Sequence, residues 1–371
     1  MKRLVLCGGG HSHLEVLRRF GRRPVPGLEL ILVDPARHAA YSGMLPGLIS
    51  GHYEFKDAHV DLERLAGYAG ARRLATAALG IDPRARALRL SEGAPLYYDV
   101  LSLDIGSVLS ESIVEESGSL ALRARPAGAF LLAWDKLRER VSAGAISNLL
   151  VVGGGAAGME VLLAMRHRLV SEQPLARLEF SLASNSDQLL PGYPARVREF
   201  FTRLLASRGV ALHLSTEITR IGSGAAWSAR GARIAADAVV IATGAAAPPV
   251  LDTPGLERDA RGFFAVTDTL QSHNRSDVFA AGDCAGFAGL RVPKSGVYAV
   301  RQGPVLVENL RAVLAGRAPQ SRFNPQALTL NLISAGGRRA VATRGSWSAS
   351  GRWVWRWKDW IDRRFMARYR I

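Results

Sequence analysis

Two glycine turns do most to restrict what this chain can fold into. Residues 149–160 read LLVVGGGAAGME. An apolar run over 149–152 is followed by Gly153, Gly155 and Gly158 in Gly-x-Gly-x-x-Gly spacing, and then by a helical run over 159–165. The first glycine permits a tight turn, and the second lets backbone N–H groups approach a pyrophosphate. The third lets the helix pack closely on the strand, so that its N-terminus faces the phosphates. The chain opens in the same way. An apolar run over 4–6 precedes CGGGHSHLE, with Gly8 and Gly10 in the first two glycine slots and His13 in the last. One such motif is a weak signal. Two at strand ends, with Gly153 standing 145 positions after Gly8, predict an α/β protein with two Rossmann-like three-layer dinucleotide-binding domains. His13 in place of the packing glycine predicts a looser helix–strand contact in the first copy, or a side chain tucked aside.

The first copy has the acid that such a site needs. A second strand, LELILVD, ends at Asp34, 24 residues after Gly10, where a carboxylate accepts hydrogen bonds from an adenosine ribose. The competing reading of Asp34 is a turn former before Pro35. In the second copy the corresponding strand, LEFSLAS, ends at Ser184 with neither an acid nor an arginine directly after it, so NADH and NADPH both remain open. Two further segments, YDVLSLDIGS (98–107) and ADAVVIATGAAAP (236–248), each read as Asp, strand, Gly, and SDVFAAGDCAG (276–286) gives a strand ending in Gly282-Asp283.

Composition narrows the class. The 371 residues exceed one ordinary core, and 48% hydrophobic with 22% charged residues excludes a disordered or fibrous chain. The net charge of +16 comes mostly from arginine; it reflects either a compositional bias or attraction to an anionic partner. Cys7 and Cys284 form neither a disulfide framework nor a metal-ligand pattern, which fits a reducing compartment. His11 and His13 have no third ligand nearby, so no metal site is expected. The apolar run behind MKR is too short for a signal peptide, and 146–165 reads as a buried strand–turn–helix, not a membrane span.

The order GxGxx(G), x-x-x-Gly, GxGxxG, Ala-Thr-Gly, Gly-Asp resembles the two-dinucleotide-binding-domain flavoproteins, the pyridine nucleotide-disulfide oxidoreductase superfamily, over nearly the whole chain. The resemblance implies FAD at the first loop, on Gly8, Gly10 and His11 with Asp34, and NADH or NADPH at the second, on Gly153, Gly155, Gly158 and Gly244. It implies that Asp283 meets the ribityl or phosphate region of the FAD. Gly106 falls where the family has Ala-Thr-Gly, although Asp104 and Ile105 replace the Ala-Thr. Within the superfamily no redox cysteine pair is present, so thiol chemistry is not expected and both cysteines read as small core residues. What remains is similar to the type II NADH dehydrogenases. YSGMLPGLISGHY (41–53), VPKSGVYAVRQGP (292–304) and WKDWIDRRFM (357–366) resemble the NADH dehydrogenase-like flavoprotein found fused to selenide, water dikinase.

In that framework the protein places a flavin and tunes it electrostatically. The helix opened by Gly296 and Val297 is expected to aim its N-terminus at the flavin edge that becomes negative on reduction. Lys294, just before it, is the candidate catalytic residue near the flavin or acceptor, against a plain surface lysine. Glu160 is either an acid near the nicotinamide or an ordinary acid in a helix first turn. Tyr41, Ser42 and Pro46 are candidates for covering the flavin, and His52 is either a proton donor to quinone or structural.

From Arg352 onward the tail carries seven basic and two acidic residues and four of the seven tryptophans. Trp353, Trp355 and Trp357 alternate as on a strand, and Trp357, Trp360, Ile361, Phe365 and Tyr369 share one helical arc beyond it. Such a segment suits either a membrane interface or a packed cap. The expected organisation is an FAD domain over 1–120 and 255–325, a nicotinamide domain over 121–254, and a cap over 326–371. The expected function is an FAD-dependent NAD(P)H dehydrogenase passing electrons to a quinone or similar acceptor, in the cytoplasm or peripheral on the cytoplasmic face of a membrane. Oxidation of a reduced sulfur or selenium species is the alternative. A basic nucleic-acid- or partner-binding scaffold is the alternative of another class, with nucleic acid disfavoured because the tail is the one aromatic–basic segment.

Overall fold

The computed structural model describes residues 1–109, 113–251 and 253–371. The chain begins with β1 (Lys2–Cys7), α1 (His11–Arg22), β2 (Leu28–Val33), β3 (Arg72–Leu74) and β4 (Val100–Leu103). It continues through β5 (Ala121–Arg123), β6 (Asn148–Val152), α2 (Ala156–Glu172), β7 (Glu179–Ala183), β8 (Val210–His213) and β9 (Ala238–Ile241). Then β10 (Val278–Ala280) and α3 (Gly296–Leu314) follow. Two parallel sheets result. One runs β10-β4-β1-β2-β3 and the other β5-β9-β6-β7-β8. The first sheet recruits β10 from beyond the second, so the second is inserted in sequence between strands of the first.

The strands are apolar on both faces because both faces are covered, as parallel sheets require. Leu4 and Leu6 of β1 pack with Leu14, Leu17 and Phe20 of α1 and Leu306 and Leu310 of α3. Val5 and Cys7, pointing the other way, pack with Ile31, Val33 and Cys284. In the second sheet Leu149 and Val151 face Leu162, Leu163 and Met165 of α2, while Leu150 and Val152 join a separate core with Ile218 and Ile221. A short antiparallel ribbon, Val108–Leu109 with Ala245–Ala246, links the two units.

The last segment is an antiparallel sheet of β11 (Asn331–Ser334), β12 (Ala340–Arg344) and β13 (Trp347–Gly351), followed by α4 (Arg352–Met366). This corrects the strand expected for Trp353, Trp355 and Trp357. Gly351 ends β13 at φ 143°, a left-handed conformation that favours glycine, and the helix starts at the next residue. Trp353 and Trp357 then become neighbours one turn apart, ring centroids 6.4 Å. The buried face overlaps the expected arc in part, sharing Phe365, and Tyr369 just past the helix is buried too. That face carries Val354, Lys358, Asp362, Phe365 and Met366, while Trp360 is 56% exposed. Lys358 and Asp362 form a buried ion pair at 2.6 Å, and Lys358 Nζ also donates to the Gly43 carbonyl. A charged pair thus sits where periodicity looks for apolar side chains. Among the described residues no helix is long and apolar enough to cross a membrane.

Candidate functional site

Both glycine turns lie at the carboxyl ends of central strands, where ligands of open parallel sheets bind. Their helix N-termini differ. α2 starts at Gly155 with no side-chain cap, and a Cβ on Gly155 or Gly244 would meet nothing within 4 Å. A free helix N-terminus therefore opens onto space there. Gly153 (φ 133°) and Gly158 are closed in: added Cβ atoms would fall 2.3 Å from the Ala242 carbonyl and 2.0 Å from the Gly153 carbonyl. The third glycine of this copy is thus required for packing. Thr243, between Ala242 and Gly244, has a buried Oγ1 with no hydrogen-bond partner.

At the first turn the packing glycine is replaced by a wholly buried His13, tucked aside. Its Nδ1 lies 2.6 Å from the Gly8 carbonyl and its Nε2 2.8 Å from Ser102 Oγ, so the imidazole bridges turn and β4. Burial lowers its pKa to about 4. Sequence reasoning did not foresee Asp104. This buried carboxylate accepts from the N–H groups of Ser12 (2.7 Å) and His13 (3.1 Å), capping α1 from 91–92 residues away. Added Cβ atoms on Gly8, Gly10 and Gly282 would each strike Asp104, at 2.3–2.4 Å. The Asp104 carboxyl titrates high, at about 7, first because it is buried and also because Asp283 is near. Asp34 is tied to both the glycine turn and its own local turn. Its Oδ2 accepts from Gly9 N–H (2.6 Å), and its Oδ1 accepts from Ala36 N–H (2.7 Å) in a local turn.

The structure brings His11, Ser42 and Gly296 together. A Cβ on Gly296 would come within 2.7 Å of Ser42 Oγ and 3.6 Å of His11 Nε2. That Nε2 is buried and has no hydrogen-bond partner. Burial lowers the His11 pKa, while Asp283 opposes the shift. Val297 is 39% exposed at the start of α3. The N-termini of α1 and α3 thus converge on one cleft containing an orphan imidazole nitrogen. Ser12 Oγ, donating to the Ala299 carbonyl at 2.7 Å, ties the two helices. Asp283 borders the cleft, held by Arg125 Nη1 at 2.8 Å; Gln302 accepts from Gly282 N–H at 2.5 Å. Gly106 adopts φ 73° with open space where a side chain would be. The orphan imidazole and the open glycine fit a large polar cofactor such as a flavin.

Lys294 is not a surface lysine. Its ammonium donates to the Ala285 carbonyl and lies 3.8 Å from the Phe263 ring centroid, and burial lowers its pKa to about 8. Glu160 accepts from Ser334 N–H at 2.7 Å, and burial raises its pKa against the pull of Lys358. Tyr41 stacks on Phe365 at 4.4 Å, and its hydroxyl titrates high through burial and Asp362, so the 41–46 loop is clamped beneath α4. Both cysteines are buried; burial raises both thiols, Cys284 to about 12, as unreactive core residues would be. Among the described residues no cluster of side chains could hold a metal.

"NADH dehydrogenase-like protein YutJ" of Bacillus subtilis is 23% identical over 92% of this chain and 91% of its own. "Type II NADH:quinone oxidoreductase" of Haemophilus influenzae is 27% identical over 50% of this chain, and the match spans 44% of that relative's length. Among solved structures, NDH2 from Plasmodium falciparum in complex with NADH superposes with TM-score 0.82 at 12% identity, covering 97% of each chain. The sulfide:quinone oxidoreductase of Aquifex aeolicus gives 0.82 at 18% identity, covering 100% of this chain and 92% of that one. These structural likenesses speak to fold. Residues 2–303 match the family described as pyridine nucleotide-disulphide oxidoreductase. The chain therefore belongs to the pyridine nucleotide-disulphide oxidoreductase family, whose members are flavin-dependent NAD(P)H oxidoreductases.

Proposed function

We propose that this protein is an FAD-dependent NAD(P)H dehydrogenase that passes electrons to a quinone or a similar small acceptor. The observation that carries the reading is the pairing of two glycine turns at parallel-strand ends, each beside a buried polar atom with no partner: His11 Nε2 and Thr243 Oγ1. Buried polar atoms left unpaired cost about 1–3 kcal/mol each, so a ligand that satisfies them is favoured. FAD, when bound, supplies the two-electron chemistry. On this reading Gly8, Gly10, His11, Asp34, Ser42, Gly106, Asp283, Gly296 and Val297 hold the FAD. Gly153, Gly155, Gly158 and Gly244 hold the nicotinamide dinucleotide. The α3 N-terminus supplies positive potential, and Lys294 and Glu160 stand at the reacting end. A quinone acceptor rests on the names of relatives, and the alternative of sulfur oxidation is disfavoured by two buried, high-pKa thiols.

Anaerobic titration of the purified, yellow protein with NADH, and separately NADPH, tests this. The flavin absorbance band should bleach with one or both and recover on adding a quinone analogue. The released cofactor should be FAD, since Asp34 makes an adenosine site. A flavin that bleaches with sulfide and not with either nicotinamide cofactor would overturn the proposal.

A further inference from the structure

A pocket of about 570 Å³ lies on the flank of the molecule where α2 meets the C-terminal sheet. Arg208, Arg338, Arg339 and Arg352 line it, with no aspartate or glutamate among its walls. Among the described residues none of these four arginines forms an ion pair. That is unlike neighbouring Arg138 and Arg168, which share Glu172. Arg338 lies over the Trp355 ring, and Arg208 is half-buried. The loop between β11 and β12 closes one wall with Gly336 and Gly337, both left-handed (φ 67° and 61°). A Cβ on Gly336 would fall 2.7 Å from Arg208 Nη1 and 2.6 Å from the Leu163 carbonyl, so glycine lets the guanidinium approach the turn.

Two imidazoles complete the walls, His52 and His167, 5.2 Å apart between ring centroids. Burial comes first and neighbouring positive charge second in keeping both neutral: His167 and Arg338 act on His52, and Arg208 and Arg168 act on His167. Asp359 is the one acid that pulls His52 the other way. The guanidinium of Arg208 is itself disfavoured by burial, Arg166 and Arg339. Four guanidiniums, Arg208 half-buried and Arg338, Arg339 and Arg352 exposed, thus gather in one pocket with no carboxylate on its walls, and an oxyanion would give them bidentate partners.

We propose that this pocket is a binding site for a phosphate group, with the arginines as its ligands and His52 and His167 as flanking donors. It is separate from the dinucleotide turns: His167 stands 11 residues along α2 from Ala156, about 16 Å from the helix N-terminus. The inference does not depend on the electron-transfer reading. The phosphate can belong to a small soluble molecule or to a lipid headgroup, and the test separates them.

The experiment follows the His52 imidazole by proton NMR, assigned by comparison with His52→Gln, because the dinucleotide turns can also take phosphate and a local readout is needed. In the parent without ligand the His52 midpoint lies near 4. Millimolar inorganic phosphate or pyrophosphate should move it up by about 1 in pH, as a bound anion does to a neighbouring imidazole. If the source is a headgroup, phosphatidylcholine vesicles containing phosphatidic acid produce the movement and free phosphate does not. In either case Arg208→Gln with Arg339→Gln should abolish the movement. Arg339→Gln alone, at an exposed position, should weaken it if the double variant does not fold. No movement with either probe, or an equal movement in the folded variants, overturns the proposal.

Discussion

Asp104 is the residue whose behaviour departs most from what its neighbourhood in sequence implies. It caps α1 through two N–H groups and touches the space beside Gly8, Gly10 and Gly282. Nothing within ten positions of Asp104 signals this, because capping across 91–92 residues is a product of the fold. His13 was legible as an anomaly, and its resolution is equally non-local: the ring reaches Ser102 on β4. The Asp104 environment has a pH consequence. Its folded pKa of about 7 exceeds the unfolded value, so the folded state prefers the protonated acid. Stability from this group is therefore full below about pH 4 and lost as pH rises towards 7. Asn in its place mimics the neutral acid at every pH. Asp104→Asn should thus gain stability relative to the parent between pH 4 and 7, by at most about 4 kcal/mol from roughly 3 in pKa at 1.36 kcal/mol each. Urea melts of both apoproteins at the two pH values measure it. A constant difference between them would mean that the carboxyl titrates normally. Asp104→Ala, which leaves Ser12 and His13 N–H unpaired, should cost about 1–3 kcal/mol at pH 4.

At the scale of elements the strands and turns were readable, because apolar runs ending in glycines need no distant information. The tail helix was readable from Trp357 onward, but its first turn, over Arg352–Arg356, was not. Trp-x-Trp-x-Trp satisfies strand alternation, while Val354, Lys358 and Asp362 satisfy helical spacing, and only packing under the 41–46 loop chooses between them. Two of the glycines of the second turn make a sharper test of element logic. Gly158→Ala drives a Cβ to 2.0 Å from the Gly153 carbonyl, backbone that cannot step aside cheaply. It should destabilise the protein by about 1–3 kcal/mol by overpacking. Gly155→Ala meets nothing in the free protein, and its extended N-cap backbone suits alanine, so its thermal midpoint should stay near the parent's: the lower unfolded-state entropy of alanine offsets its poorer N-cap preference. On the proposed reading its new methyl group occupies the path of the pyrophosphate, and the KM for the nicotinamide cofactor should rise about tenfold or more. Thermal melts and steady-state kinetics on the pair check this together. Unchanged KM in a folded Gly155→Ala protein would remove the second turn from the nicotinamide site.

Across the whole molecule the net charge of +16 is not spread evenly, and the tail contributes +5 of it. One face of α4 is a cap: Phe365 and Met366 join the core of the first sheet, and Lys358 grips the 41–46 loop. The opposite face is open, with Trp353 54% and Trp360 56% exposed. The cap reading fits the first face, and the open face is where the membrane reading has to be tested. If the acceptor is a lipid-soluble quinone, as proposed, the open face of α4 is a part of the described structure suited to meet it at a bilayer surface. Basic residues near an anionic leaflet contribute about 1 kcal/mol each within a Debye length, and tryptophans sit well at the headgroup level. The expected outcome is binding to phosphatidylserine-containing vesicles in flotation, weakening as salt is raised. Trp353→Gln with Trp360→Gln should weaken it further and leave the thermal midpoint within about 1 °C, since both side chains are exposed and surface changes cost under about 0.5 kcal/mol. Phe365→Gln is the contrast: it should unfold the cap before it tests the membrane, because that ring is 6% exposed and stacked on Tyr41. If the folded parent ignores such vesicles at low salt, α4 is a cap alone, and the acceptor to seek is a soluble one.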